Sequence, residues 1–267
     1  MSYILKGHNE SARLDEQTTI PEFSLYPEFE NIELRKGAKV LDAGCGSGIL
    51  CRFLEKEYLD LNINGCDLAQ PGLDYAKKCS INQRSNYFLH NIVETPLKEK
   101  YDHIFNRLVA HHLGEKKLKI VFEHFFNALN DEGTVHIIDT DGLFFNLGTL
   151  SLGLKDKMEK MKKTFEGDLQ VGRLIPALLH EVGFKNISWK IQMMDFQGES
   201  RRMEVEQWKR RFESALPFYI DYFGTEFEAK KFFKEYTLEA SKEHVPLFYN
   251  KFIVTGKKNV TDCVVRK

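Results

Sequence analysis

Three glycines at alternate positions, Gly44, Gly46 and Gly48, follow the apolar run Val40-Leu41-Asp42-Ala43. Glycine adopts backbone angles closed to other residues and lets a ligand lie against bare main chain. A helix opening directly behind such a loop offers unpaired N–H groups. Together they describe a nucleotide-type site in the crevice beyond the carboxyl ends of parallel strands. The dinucleotide fingerprint G-x-G-x-x-G is not met, because the position that needs its last glycine holds Ile49. Asp67 closes the next apolar run, where a carboxylate accepts both hydroxyls of an unphosphorylated ribose and repels a 2′-phosphate.

Further along, His111 and His112 follow the apolar run 102–108. An imidazole there is suited to act as a general base near neutral pH. Adjacent side chains point in different directions, so one of the two at most faces a substrate. The pair lacks a third ligand, and no metal site is expected. Asp139 and Asp141, before Gly142, read as carboxylates at the rim of a pocket, Asp141 as a candidate base or holder of a cationic acceptor. Turn formation and helix capping are the competing uses of such residues. Arg107 ends its run with a planar fork suited to a carboxylate. Tyr3, Arg13 and Gln17 lie upstream of all these elements.

The elements that must position these residues alternate between strand and helix patterns. Short apolar runs at 39–43, 61–67, 86–90, 102–108 and 134–139 read as strands, with helices at 49–58, 71–80 and 116–129 between them. Asp131-Glu132-Gly133 reads as a turn. Helices at 150–165 and 174–182, a strand at 185–194 and a last strand at 247–255 follow. This predicts an α/β, doubly wound, mainly parallel seven-stranded sheet with helices on both faces, plus a helical insert. The core spans 35–199 and 246–256. Residues 200–245 are the insert, read as two helices interrupted at Pro217 and rich in aromatics from Trp208 to Tyr236. That insert is either a lid lining an acceptor pocket or the face of a homodimer. Residues 1–34 form a leading segment, with Pro21 and Pro27 breaking any long helix, and 257–267 a tail.

Val40 through Gly48, with Asp67 in register, resembles motif I and the acidic loop of the class I S-adenosylmethionine-dependent methyltransferases. The resemblance is strong over about residues 35–140, with Glu132 in place of the usual proline before Gly133 and Asn91 where many members carry aspartate. It implies a Rossmann-like methyltransferase fold and S-adenosyl-L-methionine as cofactor, leaving S-adenosyl-L-homocysteine as product. By that likeness Gly44 and Gly46 line the methionine moiety, and Asp42 holds the loop or the ligand's ammonium group. Asp67 takes the ribose, Leu68 covers an adenine face, and Asn91 and Ile92 meet the adenine edge. Arg107 meets the carboxylate, and the leading segment, with Tyr3 and Arg13, folds over the cofactor. A small-molecule acceptor is the leading expectation. An RNA or protein methyltransferase, or a non-catalytic cofactor-binding scaffold or sensor, are the alternatives.

Bulk composition agrees with an enzyme. Lys+Arg number 38 and Asp+Glu 39, a net charge of −1, so the basic excess of a nucleic-acid partner is missing. No apolar run approaches the roughly 20 residues of a membrane span, and the first residues lack the apolar core of a signal peptide. The five cysteines are scattered and never spaced C-x-x-C. A reduced, cytoplasmic chain with no membrane partner is expected.

Overall fold

The computed structural model describes residues 8–259. Strands β1 (Lys39–Ala43), β2 (Asn62–Asp67), β3 (Asn86–Leu89), β4 (Tyr101–Arg107) and β5 (Leu129–Asp141) run parallel, and β6 (Lys185–Asp195) and β7 (Phe248–Lys257) complete one sheet. Their order is β3-β2-β1-β4-β5-β7-β6, with β7 antiparallel to both of its neighbours. The order reverses between β2 and β4 around β1, which makes the carboxyl ends of β1 and β4 the place for a ligand crevice. This is the α/β, seven-stranded architecture that the strand-helix alternation predicts.

The helices are α1 (His8–Gln17), α2 (Tyr26–Phe29), α3 (Ile49–Glu57), α4 (Gln70–Cys79), α5 (Glu115–Ala128), α6 (Leu152–Thr164), α7 (Ile175–Val182), α8 (Gly198–Ser214), α9 (Leu216–Phe223) and α10 (Glu226–Ala240). Consecutive strand residues feed opposite cores, as a two-sided sheet requires. Val40 and Phe105 pack with Leu50, Leu54 and Leu73 of α3 and α4. Their neighbours Leu41 and Ile104 pack with Phe122 and Phe125 of α5 and with Leu178 of α7. A third cluster, built from Phe144, Trp208, Phe212, Phe232 and Tyr236, lies under α8 and α10.

Three boundaries differ from the sequence reading. The insert holds three helices, not two. Pro217 falls in the first turn of α9, where its missing N–H costs nothing, and Gly224 ends that helix at φ 83°. Strand β5 begins at Leu129, so Asp131-Glu132-Gly133 lies inside the strand. The pairing with β4 slips there, and Glu132 takes φ 62°. The leading segment carries α1, which ends ahead of both prolines. Pro21 then opens a 3-10 turn, and Pro27 sits in the first turn of α2.

The leading segment is fastened to the sheet by charge. Glu28 of α2 is sealed from solvent, as is Lys251 of β7, and Arg107 at the end of β4 is nearly so. Arg107 donates from Nε to Oε2 of Glu28 at 2.6 Å and from Nη2 to Oε1 at 2.9 Å. The Nζ of Lys251 reaches Oε1 of Glu28 at 2.7 Å and the Glu22 carbonyl at 3.0 Å. Burial by itself raises the Glu28 pKa, but Arg107 and Lys251 together outweigh it and hold the carboxyl below its usual range. Removing one member of such a buried group leaves the others uncompensated, at a cost of about 3–5 kcal/mol. Glu28→Ala therefore unfolds at markedly lower urea concentration than the parent chain. A loss under about 1 kcal/mol would contradict the assignment.

Candidate active site

The loop after β1 is built from within. The N–H groups of Gly44 and Cys45 both donate to the Cys66 carbonyl, at 2.8 and 2.9 Å. That of Gly46 donates to Asp67 Oδ2 at 2.9 Å, and that of Gly48 to the Cys45 carbonyl at 2.8 Å. The N–H groups of Gly44, Cys45, Gly46 and Gly48 are thus committed within the fold, and the unpaired N–H groups that the sequence leads one to expect belong to the first turn of α3 behind them. Gly44 (φ 86°) has no room for a side chain, because a Cβ would come within 2.6 Å of Val109 Cγ2. At Gly46 the demand is the angle, φ 50°, with Leu14 of α1 roofing the space above.

Asp67, half-buried, also accepts from Ala69 N–H at 2.9 Å, and burial raises its pKa. Asp42 is buried at the end of β1. Its pKa is pushed up to about 7, chiefly by burial, with the Arg107 charge opposing. The Cys51 thiol lies 3.7 Å from Asp42 Oδ2. Leu68, Asn91 and Ile92 line the same cavity as the loop. The amide oxygen of Asn91, the atom expected to read adenine, accepts from Val93 N–H at 3.0 Å.

Helix α1 closes the crevice from above. Asp15 accepts from Ser47 Oγ (2.9 Å), Arg52 Nη2 (2.6 Å) and Tyr75 Oη (3.0 Å), which fixes α1 to α3 and α4. Arg13 lines the cavity, but its guanidinium is held by Glu10 through Nε and Nη2 and by Gln207 through Nη1. Arg107 lines it too, with its Nε–Nη2 edge on Glu28. Tyr3 lies outside the described residues.

His111 and His112 both line the cavity, on the turn after β4. Asp139 is not at the rim. It is fully buried, and it accepts from His111 Nδ1 at 2.8 Å, on the neutral or charged ring alike, and from the His111 backbone N–H at 3.1 Å. Asp141 is a correction. It does not line the cavity, and both its oxygens are taken by Arg173, at 2.7 and 2.6 Å. The partner, Arg173 of the 3-10 turn before α7, has a side chain 58% exposed and meets Asp141 only in three dimensions. His112 is open to the cavity solvent yet deep within protein. Burial foremost, then the charges of His111 and Arg13, push its pKa down and favour the neutral ring.

One cavity of about 610 Å³ joins the loop to the insert. Its far wall is Phe144, Phe145, Phe165, Trp208 and Tyr219, with Arg211 beside them. The sequence reading missed Phe144 and Phe145. Their one signal was adjacency to Gly142. Phe144 is held at φ 71° while its ring stacks on Tyr236 at 4.6 Å and its carbonyl accepts from Tyr236 Oη at 3.1 Å. A bulky residue in that conformation persists only where the surroundings impose it.

Residues 40–133 match the family model of a methyltransferase domain. The matched stretch runs from β1 into β5 and contains the glycine loop and Asp67. A release factor glutamine methyltransferase of Streptococcus pneumoniae is 33% identical over 98 residues, which is 34% of each chain. Among solved structures, a cyclopropane synthase of Mycobacterium tuberculosis superposes with a TM-score of 0.60 at 16% identity, over 95% of this chain and 99% of that one. A phosphoethanolamine N-methyltransferase 2 of Haemonchus contortus, solved with S-adenosyl-L-methionine, gives 0.54 at 17% identity, over 96% and 53%. The chain thus spans about a third of the curated relative and about half of the Haemonchus protein. These structural likenesses are to the fold of the methyltransferase domain. Among the described residues no helix is long and apolar enough to cross a membrane.

An aspartate that titrates near 7 must lose its proton before it pairs with an ammonium group. Calorimetric titration with S-adenosylhomocysteine should therefore show affinity level above pH 7 and falling as the pH drops below it, by up to tenfold per unit. Asp42→Asn should weaken binding and remove that slope. A parent profile flat from pH 8 to 5.5 would remove Asp42 from the ligand's ammonium group.

Proposed function

We propose that the chain transfers a methyl group from S-adenosylmethionine to a small-molecule acceptor held under the helical insert. The observation that carries this reading is the single cavity that runs from Gly46 and Asp67 to the aromatic wall at Trp208. Its volume of about 610 Å³ lies in the range of small-molecule sites. The site fits the cofactor by its own features: a glycine at positive φ under a roof, a carboxylate at the next strand end, and a buried Asp42 whose pKa is about 7. When bound, the cofactor supplies a methyl group already activated on a sulfonium centre.

The protein's part is alignment and proton removal. Phe144, Trp208 and Tyr219 hold the acceptor's apolar body and exclude water. His112, held neutral and open to the cavity, is the group placed to take a proton from an acceptor O–H or N–H. His111, fixed by Asp139 through ring and backbone, packs its ring 4.0 Å from that of His112 and positions it. An extended protein or RNA acceptor is less well served, with a net charge of −1 and a cavity roofed by α1. At the end of β4, Asn106 is turned into the fold, its amide donating to the Ala43 carbonyl at 2.7 Å.

Two measurements test this. Calorimetry should show binding of S-adenosylmethionine and not of NAD, with at least tenfold weaker binding in Asp67→Ala; equal affinity in that variant removes Asp67 from the donor site. A screen for S-adenosylhomocysteine release over small-molecule and tRNA pools then identifies the acceptor. With that acceptor, His112→Gln should lower kcat by roughly 10²-fold or more with donor affinity kept. A kcat within a factor of three would exclude His112 as the base.

A further inference from the structure

Four arginines in this molecule share a habit. Arg13, Arg107, Arg173 and Arg202 each direct the Nε–Nη2 edge of the guanidinium at one carboxylate, respectively Glu10, Glu28, Asp141 and Glu199. In the first three the two parallel N–H bonds take the two oxygens of the carboxylate, and in Arg202 both go to Glu199 Oε2. Arg211 of α8, like Arg52 and Arg210, instead meets its carboxylate through a single Nη. Its Nη1 donates to Glu204 Oε1 at 2.7 Å, while Nε and Nη2 have no hydrogen-bond partner among the described residues, and neither is a sealed atom.

Arg211 is not a loose surface residue. Its side chain is 11% exposed, and Glu204 is completely buried. Its guanidinium lies 4.5 Å from the Trp208 ring centroid, and Trp208 is in turn fixed by Nε1 donating to Tyr249 Oη at 2.7 Å. The group is thus held rigidly in the cavity wall, next to Trp208 and Tyr219, with its carboxylate-matching edge unused. The nearest acidic groups acting on it are Glu204 and Glu10, and Glu10 already holds Arg13. A half-filled guanidinium in an aromatic wall has the makings of a receptor.

We propose that the Nε–Nη2 edge of Arg211 is the docking point for a carboxylate on the acceptor, so that the substrate class is an apolar or aromatic carboxylic acid. This rests on the methyl-transfer reading above and narrows it. The body of the acid lies against Trp208 and Tyr219, its charged end is fixed at Arg211, and its nucleophilic atom is turned toward His112.

The test uses the full chain saturated with S-adenosylhomocysteine. By calorimetry, 3-phenylpropionate, 4-hydroxybenzoate and indole-3-acetate are each compared with the corresponding amide. At least one acid should bind tenfold or more tightly than its amide. Arg211→Lys should keep part of that preference. The double variant Arg211→Met with Glu204→Gln, which leaves no buried charge unpaired, should abolish it. If no acid binds more tightly than its amide, or if the double variant keeps the preference, the subsite is refuted while the donor site stands. If the parent chain fails to bind S-adenosylhomocysteine at all, the methyl-transfer reading falls and this inference with it.

Discussion

The cluster of Glu28, Arg107 and Lys251 is the constraint on which the site depends. Three full charges are withdrawn from water where the leading segment, the end of β4 and the middle of β7 meet. Such a group tolerates no slack, because any displacement strands a charge in a poor dielectric. It therefore fixes three things at once. It sets the depth at which α2 sits on the sheet and with it the start of the path that places α1 over the glycine loop. It holds Arg107 in one pose beside Asp42. It also ties β7, the strand that follows the insert, to the strand that carries the histidine turn. The glycine-loop crevice and the aromatic wall come from distant parts of the chain, and this cluster gives them a common origin.

Much of the donor half could be read from residue order. The glycine loop, Asp67, and the strand-helix alternation are local patterns, each imposed by the backbone within a few residues. The mainly parallel sheet also followed from alternation, since parallel neighbours need crossovers. What the sequence withheld is pairing across distance. Asp139 and Asp141 look alike in the chain, yet one orients His111 and the other binds Arg173, because two residues of rise along β5 bring them beside different segments. Arg107 pairs with a residue 79 positions earlier, and nothing local announces it. The same holds for the glycine loop, where Gly44, Cys45 and Gly46 donate to the end of β2. The aromatic insert was visible only as density of rings, and its division into three helices depended on whether Pro217 starts or breaks one.

The two halves of the cavity use electrostatics differently. Around β1 the acidic groups are raised by burial, so their charge is conditional and a cationic ligand brings it out. Around the insert the charges come as matched pairs, Arg13 with Glu10 and Arg211 with Glu204, set among apolar rings. The first arrangement responds to what binds. The second gives a stiff frame, and stiffness under α8 is what aligned transfer needs, since misplacement by about 1 Å can cost on the order of 10²-fold in rate.

The chain has two tryptophans, and the fold sends them to opposite environments. Trp189 stands 59% exposed on the outer strand β6, while Trp208 is 5% exposed, its indole N–H bonded and its face against a guanidinium in the cavity wall. Their emission is therefore separable by wavelength and by access to a soluble quencher such as iodide. The buried indole alone has the cavity as its surroundings, so the protein carries an optical reporter of whatever occupies it, with the exposed indole as an internal standard.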